Sequence, residues 1–276
     1  MRAVYVIAAQ ELLDALRNKW VLSATLVLAG FALALSYLGS APVGTVGVAP
    51  LGVTVVSLSS LTVFLLPLLG LLLSYDAVVG ESERGTLLLL LSYPVRRWQF
   101  LSGKFLGHLA VLVIAVVIGY GAAGALVVWR VEAVAPQEIA AYGVMMASSI
   151  LLGAVFVGLG YGISSFVRER ATAAGAALAV WLGIVVIYDF VLLGALTSGD
   201  GAGLSKGLFN GLLLVNPADA YRLLNLSSFE MTANLSGMAG MISNGNATAI
   251  AGLSSLILWM VVPMLVAGLI FARKEP

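Results

Sequence analysis

Long apolar runs separated by short polar segments dominate this chain and predict its secondary structure. Six runs approach or exceed the length of about 20 residues that a helix needs to cross a hydrocarbon core of about 30 Å. They cover residues 21–38, 53–75, 105–129, 139–166, 172–196 and 250–271. The third, fourth and fifth exceed that length, which indicates tilt or extension beyond the bilayer. We therefore predict an all-α, polytopic membrane protein in which residues 1–276 form one domain with six transmembrane helices.

The first twenty residues have a different pattern, which is typical of an amphipathic helix. Apolar side chains recur at helical spacing on one face: Ala9, Leu12, Leu13, Leu16 and Trp20. Polar and charged side chains occupy the other face: Gln10, Glu11, Asp14, Arg17 and Asn18. This pattern predicts an interfacial helix over residues 3–19 that lies in the headgroup plane. The alternative is a simple N-terminal extension of the first span.

Composition and charge support the membrane class and predict an orientation. Apolar residues make up 61% of the chain and charged residues 10%, far from a soluble globular protein. With the N-terminus inside, eleven of the 14 lysines and arginines fall on the inner side. The three on the outer side are Arg130, Lys206 and Arg222. The positive-inside rule therefore predicts that both termini face the cytoplasm.

Two further features exclude other classes of protein. The residues before the first apolar run include Glu11 and Asp14, which argues against a cleavable signal peptide, because its leading region is short and basic. The chain has no cysteine, so disulfide bonds, thiolate metal sites and thiol catalysis are excluded.

The largest inner segment, residues 76–100, is charged, then apolar, and turns at Pro94 onto a basic pair. It predicts a short helix over residues 81–91 to which a cytoplasmic ATPase docks, with the acidic residues in the first turn, where the helix dipole favours anions. The predicted docking residues are Glu81, Glu83, Arg84, Gly85, Thr86, Leu88 and Leu91. The chain has no ATP site of its own, because Trp98 and Phe105 replace the first glycine and the Ser/Thr of a phosphate-binding loop around Gly103 and Lys104.

The largest outer region, residues 197–249, combines apolar stretches with turn residues. We predict short helices on the outer membrane surface, broken at Pro217, and a loop over residues 236–246. Charged and turn residues beside apolar anchors predict contact with a periplasmic partner through Asn216, Asp219, Tyr221, Arg222, Phe229 and Glu230.

Candidate polar residues within the spans are few. Asp189 lies in the fifth span, and an acid at membrane depth faces an aqueous cavity or a partner. Asp189 is either part of a transport pathway or a structural anchor that pairs with Arg222. The other pathway candidates are Ser57, Ser59, Ser60 and Thr62. A metal site at the single histidine, His108, or at the methionines 231, 238 and 241 is less expected than solvation or packing, so we predict no metal.

The inner segment resembles the cytoplasmic segment of ABC-2-type permeases. The similarity rests on Glu81 or Glu83, the run Arg84-Gly85-Thr86-Leu87, then Leu91, Pro94 and Gly103-Lys104. The six spans and the large outer region before the last span also fit that family. Motifs within residues 9–20, 75–81, 103–108 and 216–230 resemble, more narrowly, the permeases that serve maturation of nitrous oxide reductase.

The resemblance implies a multi-pass permease of the bacterial inner membrane that is not itself an enzyme. It implies a second copy of the chain, two cytoplasmic ATPase subunits that bind ATP and Mg²⁺, and a periplasmic β-helical partner. This chain itself would bind no cofactor and no nucleic acid, and would contact membrane lipid. The implied role is export of a sulfur species, or help with copper delivery, for a copper–sulfur centre. Two alternatives stay open: a mechanotransmitter that moves the outer partner without passing cargo, and an exporter of a drug or lipid.

Overall fold

The computed structural model describes residues 2–39, 50–131, 134–197, 206–227 and 245–273, and helices fill almost all of these ranges. The first half of the chain forms α1 Arg2–Arg17, α2 Lys19–Gly39, α3 Pro50–Ser74, α4 Val79–Glu83, α5 Thr86–Ser92 and α6 Arg97–Arg130. It continues with α7 Pro136–Phe166, α8 Arg170–Leu182, a π-helical turn Gly183–Ile187, α9 Tyr188–Thr197, α10 Lys206–Val215, α11 Pro217–Ser227 and α12 Gly245–Arg273. The predicted all-α class is confirmed.

Within the described ranges, six helical stretches are long and apolar enough to span a membrane, which confirms the predicted number. They are Lys19–Leu38, Leu51–Glu83, Arg97–Arg130, Pro136–Phe166, Arg170–Ala195 and Ala247–Arg273. Half or more of the apolar window is buried in the second, third and fourth, but at most 22% in the other three. Helices α3, α6 and α7 therefore form the centre of the bundle, and α2, α8–α9 and α12 expose most of their surface. We call the end with α1, α4 and α5 the inner end and the end with α10 and α11 the outer end, following the orientation that the positive charges predict.

Helix α1 packs along the inner half of α6, and two glycines of α6 make this close approach possible. A Cβ atom at Gly107 would lie 2.6 Å from Cβ of Glu11, and one at Gly103 would lie 2.8 Å from Cβ of Ile7. Leu13 and Leu16 are 48% and 46% exposed, so the apolar face of α1 turns away from the bundle. The acidic residue Glu11 therefore points from α1 towards α6.

Backbone contact between α3 and α7 centres on Gly70. A Cβ atom there would lie 2.8 Å from the carbonyl oxygen of Gly153 and 3.2 Å from the Phe156 Cβ. The oxygen belongs to the backbone of α7 and the Cβ atom is bonded directly to that backbone, so neither can give way easily in the most buried of the six spans. Glycine at this position thus sets the distance between the two central helices.

We expect Gly70→Ala to lower the melting temperature of the detergent-solubilised protein. Overpacking costs about 1–3 kcal/mol, and the better helix propensity of alanine, about 1 kcal/mol, offsets only part of it. Gly162→Ala is the matched control on α7, since nothing lies within 4 Å of its added Cβ. Melting curves that show the same effect for both variants would contradict the proposed close packing at Gly70.

The fifth span is interrupted by a π-helical turn, where the sequence predicted one continuous helix over residues 172–196. The turn covers Gly183–Ile187. The Asn216 side chain donates a hydrogen bond from Nδ2 to the carbonyl oxygen of Ile184 at 2.8 Å. A π turn leaves backbone carbonyls without their regular helical partner, and Asn216 satisfies one of them. The same asparagine accepts a hydrogen bond from the Ala218 amide at 2.9 Å and so begins α11.

Candidate functional site

The predicted docking segment forms two short helices, α4 and α5, and not the single helix over residues 81–91. The chain bends at Gly85, which has a φ of +70°, in the left-handed region where glycine is favoured. The Thr86 hydroxyl bridges the bend by contacting the carboxylate of Glu81. It also donates to the Glu81 carbonyl oxygen at 3.2 Å. The sequence showed the charge pattern, but the bend depends on a single residue whose backbone angle a charge pattern does not reveal.

The start of α4 and the start of α5 are both held on the bundle. Ser164 of α7 accepts hydrogen bonds from the backbone amides of Val78 and Val79 at 2.9 and 3.0 Å. Leu87 of α5 is 4% exposed and belongs to the main hydrophobic core. A movement of α4 and α5 is therefore expected to pull on the central helix α7.

The opposite face of α5 carries an apolar patch. Leu88, Leu89 and Tyr93 are 58%, 66% and 68% exposed. The side chain of Leu91, a predicted docking residue, lies outside the described residues. Clustered exposed apolar side chains are typical of a surface that a protein partner or the membrane covers, and the charged side chains beside this cluster favour a protein partner. We call Leu88, Leu89 and Tyr93 the α5 patch.

The remaining predicted docking residues belong to a charged group beside the patch. Glu83 accepts a hydrogen bond from the Arg170 amide at 2.7 Å. Asp76 pairs with Arg170 at 2.8 Å and with Arg84 at 3.8 Å. These arginine side chains are half or more exposed, so the pairs orient the segment but contribute little stability.

Beneath the segment lies a buried charge bridge that the sequence did not predict. Lys104 Nζ of α6 lies 3.0 Å from Glu11 Oε2 of α1 and 3.0 Å from Glu81 Oε1 of α4. His108 Nε2 lies 3.0 Å from the other oxygen of Glu11, and His108 Nδ1 lies 3.0 Å from the Tyr161 hydroxyl of α7. We call Glu11, Glu81, Lys104, His108 and Tyr161 the inner bridge.

The electrostatics of Glu11 follow from this geometry. Burial raises its pKa, but the hydrogen bond from His108 and the charge of Lys104 outweigh that effect and hold the pKa at about 2. Glu11 is therefore ionised at any physiological pH. In the sequence, Lys104 stood only beside a rejected phosphate-binding loop, and His108 only as a single histidine that is not expected to bind metal. A possible signal was their spacing of four residues on one helix, which puts both on the same face.

A cleft of about 540 Å³ opens next to the inner bridge. Charged and aromatic side chains line it, including Asp14, Trp20, Tyr75, Asp76 and Arg170. Its lining has four acids, Glu11, Asp14, Asp76 and Glu81, against three cations, Arg84, Lys104 and Arg170. All three cations already pair with acids of this group, so the cleft offers no free cation to a ligand. Among the residues that the structure describes, no three histidines, cysteines or acids are close enough together to hold a metal ion.

At the outer end, Arg222 of α11 joins two carboxylates. Its Nη1 donates to Asp189 Oδ2 at 2.7 Å and to Asp219 Oδ1 at 2.6 Å. Burial and the nearby charge of Asp189 outweigh Arg222 and raise the pKa of Asp219 to about 6. Of the two roles that the sequence left open for Asp189, this geometry provides the pairing that an anchor requires.

Burial changes the interpretation of the predicted partner-contact residues. Asn216, Asp219 and Tyr221 are 3%, 4% and 0% exposed. Tyr221 shares a hydrogen bond with Ser149 of α7 at 2.9 Å. Asn216 and Tyr221 therefore hold α11 on the bundle, and Asp219 pairs with Arg222 of its own helix. We revise the prediction that these three side chains touch a partner directly. Two other predicted contacts, Phe229 and Glu230, lie outside the described residues.

The five pathway candidates do not all share one site, although Ser59 and Thr62 both lie near the Tyr221 hydroxyl. Thr62 is buried and lies 2.6 Å from the Tyr120 hydroxyl, whereas Ser60 is exposed and bonds its own helix at Val56. Ser59 is 9% exposed, and Ser57 is only partly buried. Asp189 is on the fifth span, paired with Arg222. On α6, the stretch between the inner bridge and Tyr120 buries Leu112, Ala115 and Val116 in the hydrophobic core.

Comparison with known proteins gives one family over the whole chain. Residues 5–275 match the family model described as ABC-2 family transporter protein. The chain is 44% identical over 275 residues to a protein of Pseudomonas aeruginosa named as a probable ABC transporter permease protein NosY. It is 43% identical over 275 residues to a protein of Stutzerimonas stutzeri with the same name. Each alignment covers 99% of both chains.

Proposed function

This chain belongs to the ABC-2 transporter family, as a NosY-like permease of the bacterial inner membrane, and from that premise we propose that it supports assembly of the copper–sulfur centre of nitrous oxide reductase. The observation that carries the proposal is the 44% identity with a NosY permease over 99% of both chains. A large insertion or a missing segment would indicate a different architecture, and coverage of 99% of both chains leaves room for neither.

The work of ATP hydrolysis is proposed to come from a separate cytoplasmic subunit. Two NosF-like ATPases would each bind ATP and Mg²⁺ and dock on the inner end of a pair of permease copies. The α5 patch supports this assignment, because Leu88, Leu89 and Tyr93 are exposed apolar side chains beside charged residues. The fold does not use these side chains for its own packing, and a partner surface would bury them.

The outer partner is proposed to be a NosD-like periplasmic protein. Helices α10 and α11 present the described part of the outer end, and Arg222 remains 30% exposed there. The buried side chains of Asn216 and Tyr221 make this platform rigid. Rigid packing favours transmission of movement to a partner, because a displacement at the inner end then also displaces α10 and α11.

Two modes of action fit this proposal. In the first, a sulfur species crosses the membrane; in the second, ATP hydrolysis only moves the outer partner. The buried apolar layer of Leu112, Ala115 and Val116 lies between the polar groups of the two ends. If cargo crosses the membrane, this apolar layer disfavours a route through the interior of one chain. It favours a route along the surface that two copies share.

Deletion of this chain is expected to yield nitrous oxide reductase without its copper–sulfur centre. The reductase should be purified from a strain that lacks the chain and from the same strain carrying either this chain or the Pseudomonas aeruginosa relative. Metal and sulfide content and the visible absorption of the centre are the measurements. We expect both genes to restore the centre. A fully assembled reductase in the deletion strain would overturn the proposal and favour the drug or lipid exporter.

A further inference from the structure

Three elements of the inner end meet at one buried amine. Lys104 Nζ is 3.0 Å from a carboxylate oxygen of Glu11 on α1 and 3.0 Å from a carboxylate oxygen of Glu81 on α4. The lysine side chain is 9% exposed, and the acids are 20% and 17% exposed. Water reaches this bridge less than it reaches the pairs of Arg84 and Arg170 nearby, whose arginines are half or more exposed, so solvent screens the bridge less.

Both acids of the bridge are also held by a second contact. The other oxygen of Glu11 contacts His108, whose opposite ring nitrogen meets the Tyr161 hydroxyl of α7. Glu81 contacts the Thr86 hydroxyl across the bend at Gly85. The two carboxylates therefore have fixed positions. When α4 and α5 are displaced, Glu81 cannot simply rotate away, so the displacement is passed to Lys104.

The packing around the bridge gives it a distinct role. Helix α1 packs along α6, whereas α4 packs against α5 and α8. Among the ion pairs of the described residues, those of Lys104 connect α1 with the docking segment. Buried ion pairs contribute little to net stability, but they demand one geometry and are strongly disrupted when one partner is lost. Such a contact is suited to passing on a movement.

We propose that Lys104 is a positioning residue that couples the docking segment α4–α5 to the interfacial helix α1, so that movement of the ATPase reaches α1 and the bundle through Glu81, Lys104 and Glu11. The proposal rests on the proposed function, in which an ATPase acts on α4 and α5. It adds a mechanical role for α1: the exposed apolar face of this helix, with Leu13 and Leu16, moves within the membrane surface when ATP binds.

The absence of cysteine allows a direct test. A cysteine introduced by Tyr5→Cys, at a residue of α1 that is 69% exposed, can carry an environment-sensitive fluorophore. The labelled permease is reconstituted in lipid nanodiscs with its ATPase, and fluorescence is recorded before and after addition of ATP and vanadate. We expect a clear change in the otherwise unaltered chain.

Lys104→Met is expected to reduce this fluorescence change by about tenfold, within the usual range of coupling between sites, while the ATPase still co-purifies. Lys104→Arg should retain most of the change, because the guanidinium keeps the charge between the two acids. Lys19→Met, which removes an exposed inner lysine, is the control and should respond like the unaltered chain. A purely structural role of Lys104 would change the melting temperature and the yield without this selective loss.

Each outcome supports or overturns the inference. An ATP-dependent fluorescence change in Lys104→Met equal to that of the unaltered chain overturns it. The inference is also overturned if a bound, active ATPase never changes the fluorescence at position 5 of the unaltered chain. If Lys104→Met does not insert, Glu81→Gln replaces it, because this variant leaves the pair of Lys104 and Glu11 in place. Its signal must also fall while the ATPase still co-purifies, because Glu81 is itself among the predicted docking residues. An ATPase that does not bind the unaltered permease would instead refute the docking in the proposed function.

Discussion

Replacing Leu88 and Leu89 together by aspartate will release the ATPase from the permease, while the permease still inserts into the membrane. The two side chains are 58% and 66% exposed, so the fold loses little when they change. Burying a leucine in an interface contributes about 1.5–3 kcal/mol, and two such losses weaken binding at least about hundredfold. Co-purification of the ATPase with the tagged permease is the measurement.

The control for this variant keeps the apolar volume. Leu88→Met with Leu89→Met should retain the ATPase, because volume-conserving apolar substitutions are tolerated. Ser82→Asp adds a charge to the same segment without removing apolar surface and should also retain it. If the double aspartate variant still holds the ATPase, the α5 patch is not the docking surface, and the contact has to be sought among the other exposed inner residues.

Replacing Arg222 by glutamine will destabilise the outer end more than replacing Asp189 by asparagine. Without the guanidinium, Asp189 and Asp219 face each other, and Asp219 is 4% exposed. Breaking a fully buried pair costs about 3–5 kcal/mol. Arg222 and Asp189 are each about a third exposed, which lowers the expectation to about 2–3 kcal/mol. Asp189→Asn leaves Arg222 paired with Asp219 and should cost much less.

The pH dependence of the Arg222→Gln variant provides a second measurement. The pKa of Asp219 is about 6, above its ordinary value, so the folded protein binds this proton more tightly than the unfolded chain does. Protonated Asp219 therefore increases the free energy of unfolding at low pH, and this contribution is lost as the pH rises through about 6. Removing Arg222 strengthens the effect, so the deficit in melting temperature should be larger at pH 8 than at pH 5.

A double variant separates the anchor from a role in transport. Adding Asp219→Asn to Arg222→Gln removes the buried charge and should restore most of the lost stability. Asp189→Asn should assemble normally and be scored for reductase maturation. Normal maturation identifies Asp189 as part of the anchor alone, whereas failed maturation with normal assembly assigns it to transport. Equal stability of Arg222→Gln and the unaltered chain would contradict the anchor.

The sequence by itself determined the class, the number of spans and the inner segment. Apolar runs of sufficient length leave little choice, because a backbone in hydrocarbon has to satisfy its own hydrogen bonds as helix. The family resemblance rested on residues such as Arg84, Gly85 and Gly103, and the match over residues 5–275 confirms it. These features depend on residues that are close together in the sequence, so the sequence alone is enough to predict them.

Only the tertiary structure decided which polar residues meet. Glu11 and Lys104 are more than ninety positions apart, and an amphipathic pattern gave no sign that Glu11 faces α6. Close packing at Gly103 and Gly107 turns α1 that way, and the pattern of side chains does not predict it. Likewise, Asn216, Asp219 and Tyr221 looked like an outer contact surface, yet all three are buried. Asn216 and Tyr221 bond the fifth span and α7, and Asp219 pairs with Arg222, which also bonds Asp189 of the fifth span. Contacts between distant segments depend on how helices rotate and approach, and that is settled by packing and by the pairing of buried charge.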